Sequence, residues 1–524
     1  MNACDALLGP AIAMGRGSSP ALIYGDASLS YAELGSMVNR FGNALTAHGV
    51  VRGERVLFLL KDTPELVAGF LATIKIGGVA VALNTRSAAK DLRFAIADSA
   101  CRAMFIDAEF VRLLDEAMAE GGRHPPVLVV CGAEADPSPP AVSFRTFLDG
   151  QSDRLMSAAM SADDMAFWIY TSGTTGIPKA AVHCHRDVLP GNLYLGEILG
   201  VRPGDRLFSS SKLFFSFALT HCLLGGLRVG ATVIIDNRWP AADAIAETVR
   251  CHRPDVMFSV PTIYRNLLRD GYATDEAFRS VRCFVSAGER LPAALFEHWR
   301  QATGKPILDG IGATETLFLF IANTPQAYRA GATGRPQPRV ELRLLDERGE
   351  CITEPGQSGT LWVRMPSLCN GYWRQAAKTA ASFIGGWYCT GDVFSFDSEG
   401  WWYHHGRADE LLKISGQWVS PMQIEDCVLT MPGVLEAAVV GVENTDGLVR
   451  LAMFVVPGAR AGGPELAVRI QEHIKSQLSI YKCPRDIRFV AQIPRTATGK
   501  IQRFRLRELA AAPRSETERT SRAG

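Results

Sequence analysis

The sequence predicts an α/β protein: a large N-terminal domain of helix-covered sheets followed by a small α+β domain. Three observations predict it. Short apolar, β-rich runs alternate with helical patterns and recur as far as Val260, which argues for parallel strands covered by helices. A chain of 524 residues is too long for one ordinary core, so at least two domains are expected. A boundary falls near Arg407-Ala408-Asp409, dividing the chain into 1–408 and 409–524. The second part is long enough for a small domain.

The elements follow in order. Ala21-Leu22-Ile23-Tyr24 is a short strand. Ser30 with Glu33 three residues on is a capping box opening a helix to His48. Arg55 to Leu60 is a strand, Pro64 to Ile76 a helix, and Val79 to Leu83 a strand. Strand-like runs return at Ala103 to Ile106, Val127 to Val130, Ala166 to Tyr170, Thr232 to Ile235 and Val256 to Val260. Asp136 to Pro140 is Pro-rich and reads as an exposed loop. The turn Asp397-Ser398-Glu399-Gly400 precedes a Trp/Tyr-rich strand. Beyond the boundary come strands at Ala437 to Val440 and Ala452 to Val456, then the amphipathic stretch Pro464 to Leu478. The polar end, Pro513 to Gly524, is expected to fray.

Composition narrows the class. Hydrophobic residues make up 47% and charged residues 21%, with a net charge of +1. That balance suits a globular protein and offers nothing to draw a nucleic acid or a membrane surface. Twelve cysteines without a Cys-x-x-Cys pair argue against a zinc site or a disulfide framework. They fit reduced thiols in the cytoplasm. The first residues, Met1 to Gly17, lack the basic n-region of a secretory signal. No apolar run reaches the ~18 residues of a membrane span.

Four stretches carry chemistry. Tyr170-Thr171-Ser172-Gly173-Thr174-Thr175-Gly176-Ile177-Pro178-Lys179 follows a buried strand. Its glycines let backbone N–H groups face a ligand, its hydroxyls donate, and its one cation suits a polyphosphate. It is not a Walker loop, because Ile177 and Pro178 separate Gly176 from Lys179. In Asp309-Gly310-Ile311-Gly312-Ala313-Thr314-Glu315 the glycines admit a flat ligand, Thr314 can donate to a phosphate, and Glu315 can hold Mg²⁺. In Tyr388-Cys389-Thr390-Gly391-Asp392 an acid after a tight glycine turn can accept two ribose hydroxyls. In Pro494 to Ile501, Lys500 sits on a glycine-bearing turn, where a cation could bridge a carboxylate and an α-phosphate. Each string alone is also compatible with an ordinary turn. His183-x-His185 would share one face of a strand, but with no third ligand it reads as structural, and His404-His405 as packing.

In this order the strings resemble the adenylate-forming superfamily of acyl-CoA synthetases, luciferases and peptide-synthetase adenylation domains. The resemblance runs from about Leu29 to Leu506. It implies that Thr171, Ser172, Gly173, Thr174, Thr175 and Lys179 bind the ATP phosphates. Asp309, Gly310, Ile311 and Thr314 would meet the rest of the nucleotide, with Asp392 and Arg407 on the ribose. Glu315 would hold Mg²⁺, and Lys500, Thr314 and Glu315 would be catalytic. Asp409 falls on the hinge about which a mobile C-terminal domain turns. Ser415, Gly416, Gln417 and Trp418 would line the coenzyme A tunnel. Ser286-Ala287-Gly288-Glu289 resembles the segment lining the adenine and acyl sites.

Lys212 to Leu219, Asp309 to Asn323 and Tyr481 to Asp486 most resemble the benzoate-CoA ligase group. The acyl pocket would then comprise Phe215, Ser216, Phe217, Ala218, Ala287, Gly288, Ile311, Gly312, Leu317 and Phe318. That group usually reads Phe-Phe-Ala-Tyr-Gly or Phe-Phe-Gly-Tyr-Gly where this chain has Phe214 to Ala218, and a histidine where it has Phe318. Losing a phenol and an imidazole makes the expected pocket more apolar, suited to benzoate or a similar weakly polar ring acid, with Ser216 the one new hydroxyl. The implied activity joins an aryl acid to CoA through an acyl-AMP, with ATP, Mg²⁺ and CoA, in a cytoplasmic enzyme that leaves room for a homodimer. Two alternatives stay open: loading of a carrier-protein phosphopantetheine, and a non-catalytic AMP- or acyl-binding protein.

Overall fold

The computed structural model describes residues 1–119, 121–132, 141–172, 178–414, 417–443, 449–458, 463–495 and 501–511. The Asp136 to Pro140 loop, Gly173, Thr174, Thr175, Ser415, Gly416, Lys500 and the tail from Pro513 therefore lie outside the described residues.

Among the described residues three sheets build the large domain. The first has seven strands in the spatial order Val142–Ser143, Val127–Cys131, Ala103–Asp107, Arg55–Leu59, Val79–Ala82, Met165–Ser172 and Pro178–Cys184. All pairs are parallel except the last. Alternate residues of Arg55–Leu59 feed separate cores: Val56 and Phe58 enter one cluster, Leu57 and Leu59 another. Both faces are thus covered, which is why the strand reads as an unbroken apolar run. The second sheet has nine strands, with Ile307–Ile311, Cys283–Ser286, Val256–Ser259, Arg206–Ser209 and Thr232–Ile235 running parallel at its centre. Helix Tyr31–Ala47 starts on the expected capping box: Ser30 Oγ accepts from Glu33 N at 3.2 Å, and Ser30 N donates to Glu33 Oε2 at 2.8 Å.

The third sheet was not foreseen. Its five strands lie between Glu341 and Arg407 and are all antiparallel. Their local sequence gives weak alternation, and the pairing spans long loops. Only the Trp/Tyr-rich strand Trp402–Arg407 was legible beforehand.

After Arg407 a 3₁₀ turn, Ala408–Glu410, leads into the small domain. There a hairpin, a sheet of Val434–Glu443, Val449–Pro457 and Asp486–Phe489, and helices Pro421–Leu429 and Pro464–Gln477 enclose a separate core. The amphipathic stretch behaves as its period demands: Leu466, Ile470 and Ile474, four apart, are its buried residues.

One expectation needs correction. His183 and His185 do not share a strand, because the strand ends at Cys184 and His185 opens a 3₁₀ turn. Their structural role stands. His183 Nδ1 bonds Asp187 Oδ2 at 3.0 Å, and His185 Nδ1 accepts from Ala3 N at 2.9 Å, pinning the N-terminal helix.

Burial holds the imidazoles of His185 and His405 at about 4, below the ordinary 6.5. The fold therefore refuses protons that the unfolded chain accepts, so stability is complete above pH 6.5 and falls as pH drops toward 4. Thermal melting at pH 7, 6 and 5 should show this decline. His185→Gln, which keeps an acceptor for Ala3 N, should flatten part of it.

Candidate active site

A cavity of about 820 Å³ opens between the two domains. The large domain contributes Thr171, Lys179, Asp309, Glu315, Asp392 and Arg407 to its wall, and the small domain Glu425, Glu436 and Arg495. Residues from every stretch singled out above thus meet in one place. For Lys500 the statement concerns its neighbour in the chain, because Ile501 lines the cavity while Lys500 lies outside the described residues.

Lys179 is on a strand rather than in a loop. Met165–Ser172 and Pro178–Cys184 pair antiparallel with Thr171 opposite Lys179. Its ammonium donates to Glu315 Oε1 at 2.7 Å and to the Tyr372 hydroxyl at 2.6 Å, and lies 4.0 Å from the Tyr372 ring centre. The Tyr372 hydroxyl also donates to Glu315 Oε1 at 2.6 Å. Burial works against the Glu315 carboxylate, but Lys179 and Tyr372 hold its pKa below the ordinary range.

Tyr372 was missed by the sequence reading. It reaches the site because the backbone from Asn370 to Trp373 runs beside Pro178–Cys184: Val182 N donates to Gly371 O, Asn370 N to Val182 O and Trp373 N to Ala180 O. Only the pairing of segments 190 residues apart brings it there, and no local signal marks it.

Asp309 is the last residue of the strand Ile307–Ile311 to pair in parallel, opposite Ser286, near the carboxyl end where ligands of such sheets bind. Its carboxyl is buried and pushed well above the ordinary range by that burial. Asp309 Oδ1 and the nearby Ser286 Oγ have no hydrogen-bond partner among the described residues. Buried polar atoms of this kind are costly unless a ligand completes them. Gly310, Ile311, Gly312, Thr314 and Gly288 line the same wall.

The hairpin Trp387–Phe396 and Trp402–Arg407 sets Asp392 directly opposite Arg407. Gly391 has φ +74°, and a Cβ there would stand 2.7 Å from the Arg407 guanidinium, so the turn requires glycine. Arg407 Nη1 donates to Thr390 O at 2.6 Å and lies 4.0 Å from Asp392 Oδ1. Burial opposes the Arg407 charge, yet Asp392 and Asp409 keep its pKa above the usual range. His404 is more than packing: its Nε2 lies 3.2 Å from Asp392 Oδ1.

Asp409 sits in the 3₁₀ turn joining the domains and accepts from Arg407 Nε at 3.3 Å. Its side chain is half exposed, leaving the turn loosely held. Gln417 is exposed on the strand Gln417–Val419, which also contains Trp418.

The acyl-pocket residues divide. Gly288, Ile311 and Gly312 line the cavity; Phe215, Ser216, Phe217, Ala218, Ala287, Leu317 and Phe318 are not part of its wall. Of these, Ala218, Ala287, Leu317 and Phe318 are fully buried. An imidazole from another segment lies against Phe318. His221 stands between Phe217 and Phe318, with ring centres 5.1 and 5.3 Å away. It comes from the π-helix Ala218–Gly225 rather than from the segment after Glu315. Both nitrogens are engaged: Nδ1 with Thr220 Oγ1 at 2.9 Å, and Nε2 accepting from Leu319 N at 3.3 Å. Burial pushes its pKa to about 3, so it offers a neutral ring to this apolar region.

Among the described residues no group of three or more His, Cys, Asp or Glu could by itself hold a metal. Glu315 is a lone carboxylate beside Thr171 and Thr314. That donor set fits Mg²⁺, which takes one or two carboxylates and completes its shell with water and phosphate oxygens.

Comparison with known proteins agrees with this geometry. The family model described as AMP-binding enzyme matches residues 11–373, and that of its C-terminal domain matches 423–500. The chain is 52% identical over 515 residues to a 3-hydroxybenzoate–CoA ligase of Aromatoleum sp. (strain CIB), covering 98% of each. It is 40% identical to a benzoate–CoA ligase of Thauera aromatica, covering 97% of this chain and 95% of that one. The crystal structure of the anthranilate CoA ligase AuaEII in complex with anthranoyl-AMP superposes with TM-score 0.91 at 34% identity, covering 98% of each chain.

The Lys179–Glu315 pair is nearly buried, at 14% and 5% side-chain exposure. Lys179→Met or Glu315→Gln alone should each cost about 3 kcal/mol by leaving its partner unpaired. The double variant should cost clearly less than the sum, which chemical unfolding of the four proteins in a double-mutant cycle will measure.

Proposed function

The chain belongs to the AMP-binding enzyme family, and on that premise we propose that it is an ATP-dependent CoA ligase for benzoate-class acids, with 3-hydroxybenzoate its first substrate. The observation that supports the reading best is the convergence of Lys179, Glu315, Asp309, Asp392 and Ile501, the residue after Lys500, on one cavity between two domains. The substrate class follows the relatives, of which the 3-hydroxybenzoate enzyme is nearer than the benzoate enzyme. It also follows the ring-lined region of Phe217, Phe318 and His221, with Ser216 the half-buried hydroxyl for one polar substituent. A charged or polyhydroxylated ring would leave polar groups unpaired there.

In the first half-reaction the aryl carboxylate attacks the α-phosphorus of ATP and pyrophosphate leaves. Lys500 orients the carboxylate and offsets its charge. Thr171, Ser172, Thr174, Thr175 and Lys179 hold the departing pyrophosphate. Asp309 meets the adenine, and Asp392 with Arg407 the ribose. Glu315, oriented by Tyr372, would hold Mg²⁺, whose charge would offset that of the phosphates. The product is an aryl-adenylate, a mixed anhydride that the closed site keeps from water. The domain boundary is set at 408/409, and the small domain turns about Asp409. Lys500 then withdraws, the 415–418 segment enters, and the CoA thiol attacks the acyl carbon as AMP leaves. Among the described residues no helix is long and apolar enough to cross a membrane. We place the enzyme in the cytoplasm, where ATP and CoA are made available to it.

The test is thioester formation from CoA, ATP and a panel of benzoates, heteroaromatic acids and fatty acids, with products identified by mass. We expect 3-hydroxybenzoyl-CoA to form with the highest kcat/KM. A long-chain acid that outperforms every ring acid would overturn the substrate assignment, and acylation of a carrier protein but not of CoA would overturn the acceptor. Lys500→Ala should lower ATP–pyrophosphate exchange by at least about a hundredfold, while conversion of supplied aryl-adenylate to thioester survives. Asp409→Pro should do the reverse, because a fixed φ blocks the rotation that the second half-reaction needs. Equal loss of both halves in either variant would contradict this division of labour.

A further inference from the structure

Among the described residues three ion pairs cross the domain boundary beside the cavity, besides Arg407–Asp409 in the connecting turn itself. Arg290 pairs with Asp426, Arg265 Nη1 stands 3.4 Å from Glu436 Oε1, and Arg495 Nη1 stands 3.9 Å from Glu289 Oε2. Arg495 also donates to Glu436 Oε2 at 2.7 Å within the small domain. Arg265, Glu436, Arg495 and Glu289 therefore form a chain of alternating charge, two cations and two anions. Their side chains are only 10–24% exposed, so the charges attract more strongly than a surface pair would. Arg265 comes from helix Pro261–Arg269 and Glu289 from the segment after strand Cys283–Ser286. Thr262 fixes Glu289 Oε2 with its hydroxyl at 2.7 Å.

The small-domain end of this chain is a particular place. Arg495 and Ile501 form an antiparallel bridge, and Gln502 N donates to Pro494 O at 2.9 Å. These contacts close a neck between Arg495 and Ile501, and in the chain Lys500 is the residue before Ile501. Whatever fixes Arg495 fixes that neck. Arg265 Nη1 lies within ion-pair distance of Glu436, so it attracts that carboxylate across the boundary.

We propose that Arg265 is a positioning residue for adenylation: through Glu436 and Arg495 it holds the Arg495–Ile501 neck, next to Lys500 in the chain, against the large domain. Glu289 completes the hold from the other side of Arg495. The inference rests on the two-step reading given above. When the small domain turns for the second step, the chain must part. Ion pairs suit this, since each charge can return to water, whereas a large apolar face exposed at every cycle could not be solvated. The same four side chains line the nucleotide cavity, which offers a rival role for Arg265 as a direct phosphate contact, and the two roles differ in what they do to KM.

The experiment compares wild type with Arg265→Gln, Arg265→Lys, Glu436→Gln and the Arg265→Gln/Glu436→Gln double variant. Each is assayed for ATP–pyrophosphate exchange with the aryl acid, for thioester formation from synthetic aryl-adenylate and CoA, and for thermal melting. We expect Arg265→Gln to lower the kcat of exchange about tenfold with the KM for ATP unchanged. Conversion of supplied adenylate and the melting temperature should stay at wild-type values. Arg265→Lys should recover most of the loss, and the double variant should be no slower than the slower single variant. High salt should slow exchange by the wild type more than exchange by Arg265→Gln, which keeps the other two pairs. A rise in KM for ATP at constant kcat would assign Arg265 to the nucleotide instead. Equal loss in both half-reactions, or no loss, would overturn the inference. Wild-type protein that shows no exchange at all would bring down the two-step reading and this inference with it.

Discussion

One carboxylate oxygen ties the large domain together. Glu315 Oε1 accepts from both Lys179 and Tyr372, and the three residues come from three parts of the fold. Lys179 lies on the edge strand of the seven-stranded sheet, and Glu315 follows a strand of the nine-stranded sheet. Tyr372 belongs to the connection inside the antiparallel sheet. The backbone is stitched at the same point. Cys369 N donates to Glu315 O at 2.8 Å, Ser367 Oγ to Thr316 O at 2.6 Å, and His183 Nε2 lies 2.8 Å from Thr314 O. A buried cation and anion in contact demand this order, because either alone in so dry a place would be too costly to keep. The contact therefore fixes where three sheets meet, and the wall of the cavity is built on that junction.

The two domains are joined by a different kind of force. Each has its own apolar core, and beside the cavity three ion pairs pass between them, with Ser420 Oγ donating to His405 O nearby. Buried apolar surface is hard to separate and re-form at every turnover, while charged side chains trade one set of partners for water at modest cost. The proposed rotation would fall on the short 3₁₀ turn around Asp409, whose side chain is half exposed. Rigidity inside each domain and reversibility between them arise from the same chain by placing hydrocarbon in one and ionised groups in the other.

The acyl region shows how a substitution in one segment can be answered from another. Phe318 replaces a polar ring after Glu315, yet His221 arrives from a π-helical stretch to lie against it. Its two nitrogens are held by Thr220 and by Leu319 N, so the ring acts by shape and polarisability more than by proton transfer. Selection among ring acids would then rest on fit and on a few hydroxyls, with modest free-energy differences per group.

Sequence by itself determined the local elements and the chemical vocabulary. The capping box at Ser30, the buried strands and the i, i+4, i+8 face of Pro464–Gln477 were legible because their causes lie within a few residues. So were the strings holding Lys179, Glu315 and Asp392, because each packs its donors, acceptors and glycines into one turn. Tertiary structure alone decided which of these meet. Nothing near Tyr372 marks it as the partner of a lysine 193 positions earlier. Nothing near Arg265 marks its approach to Glu436, and the antiparallel sheet between Glu341 and Arg407 depends on pairings across long loops. The physical reason is one of range: propensity, capping and period act through the chain, whereas ion pairing and burial act through space and are settled only when distant segments pack.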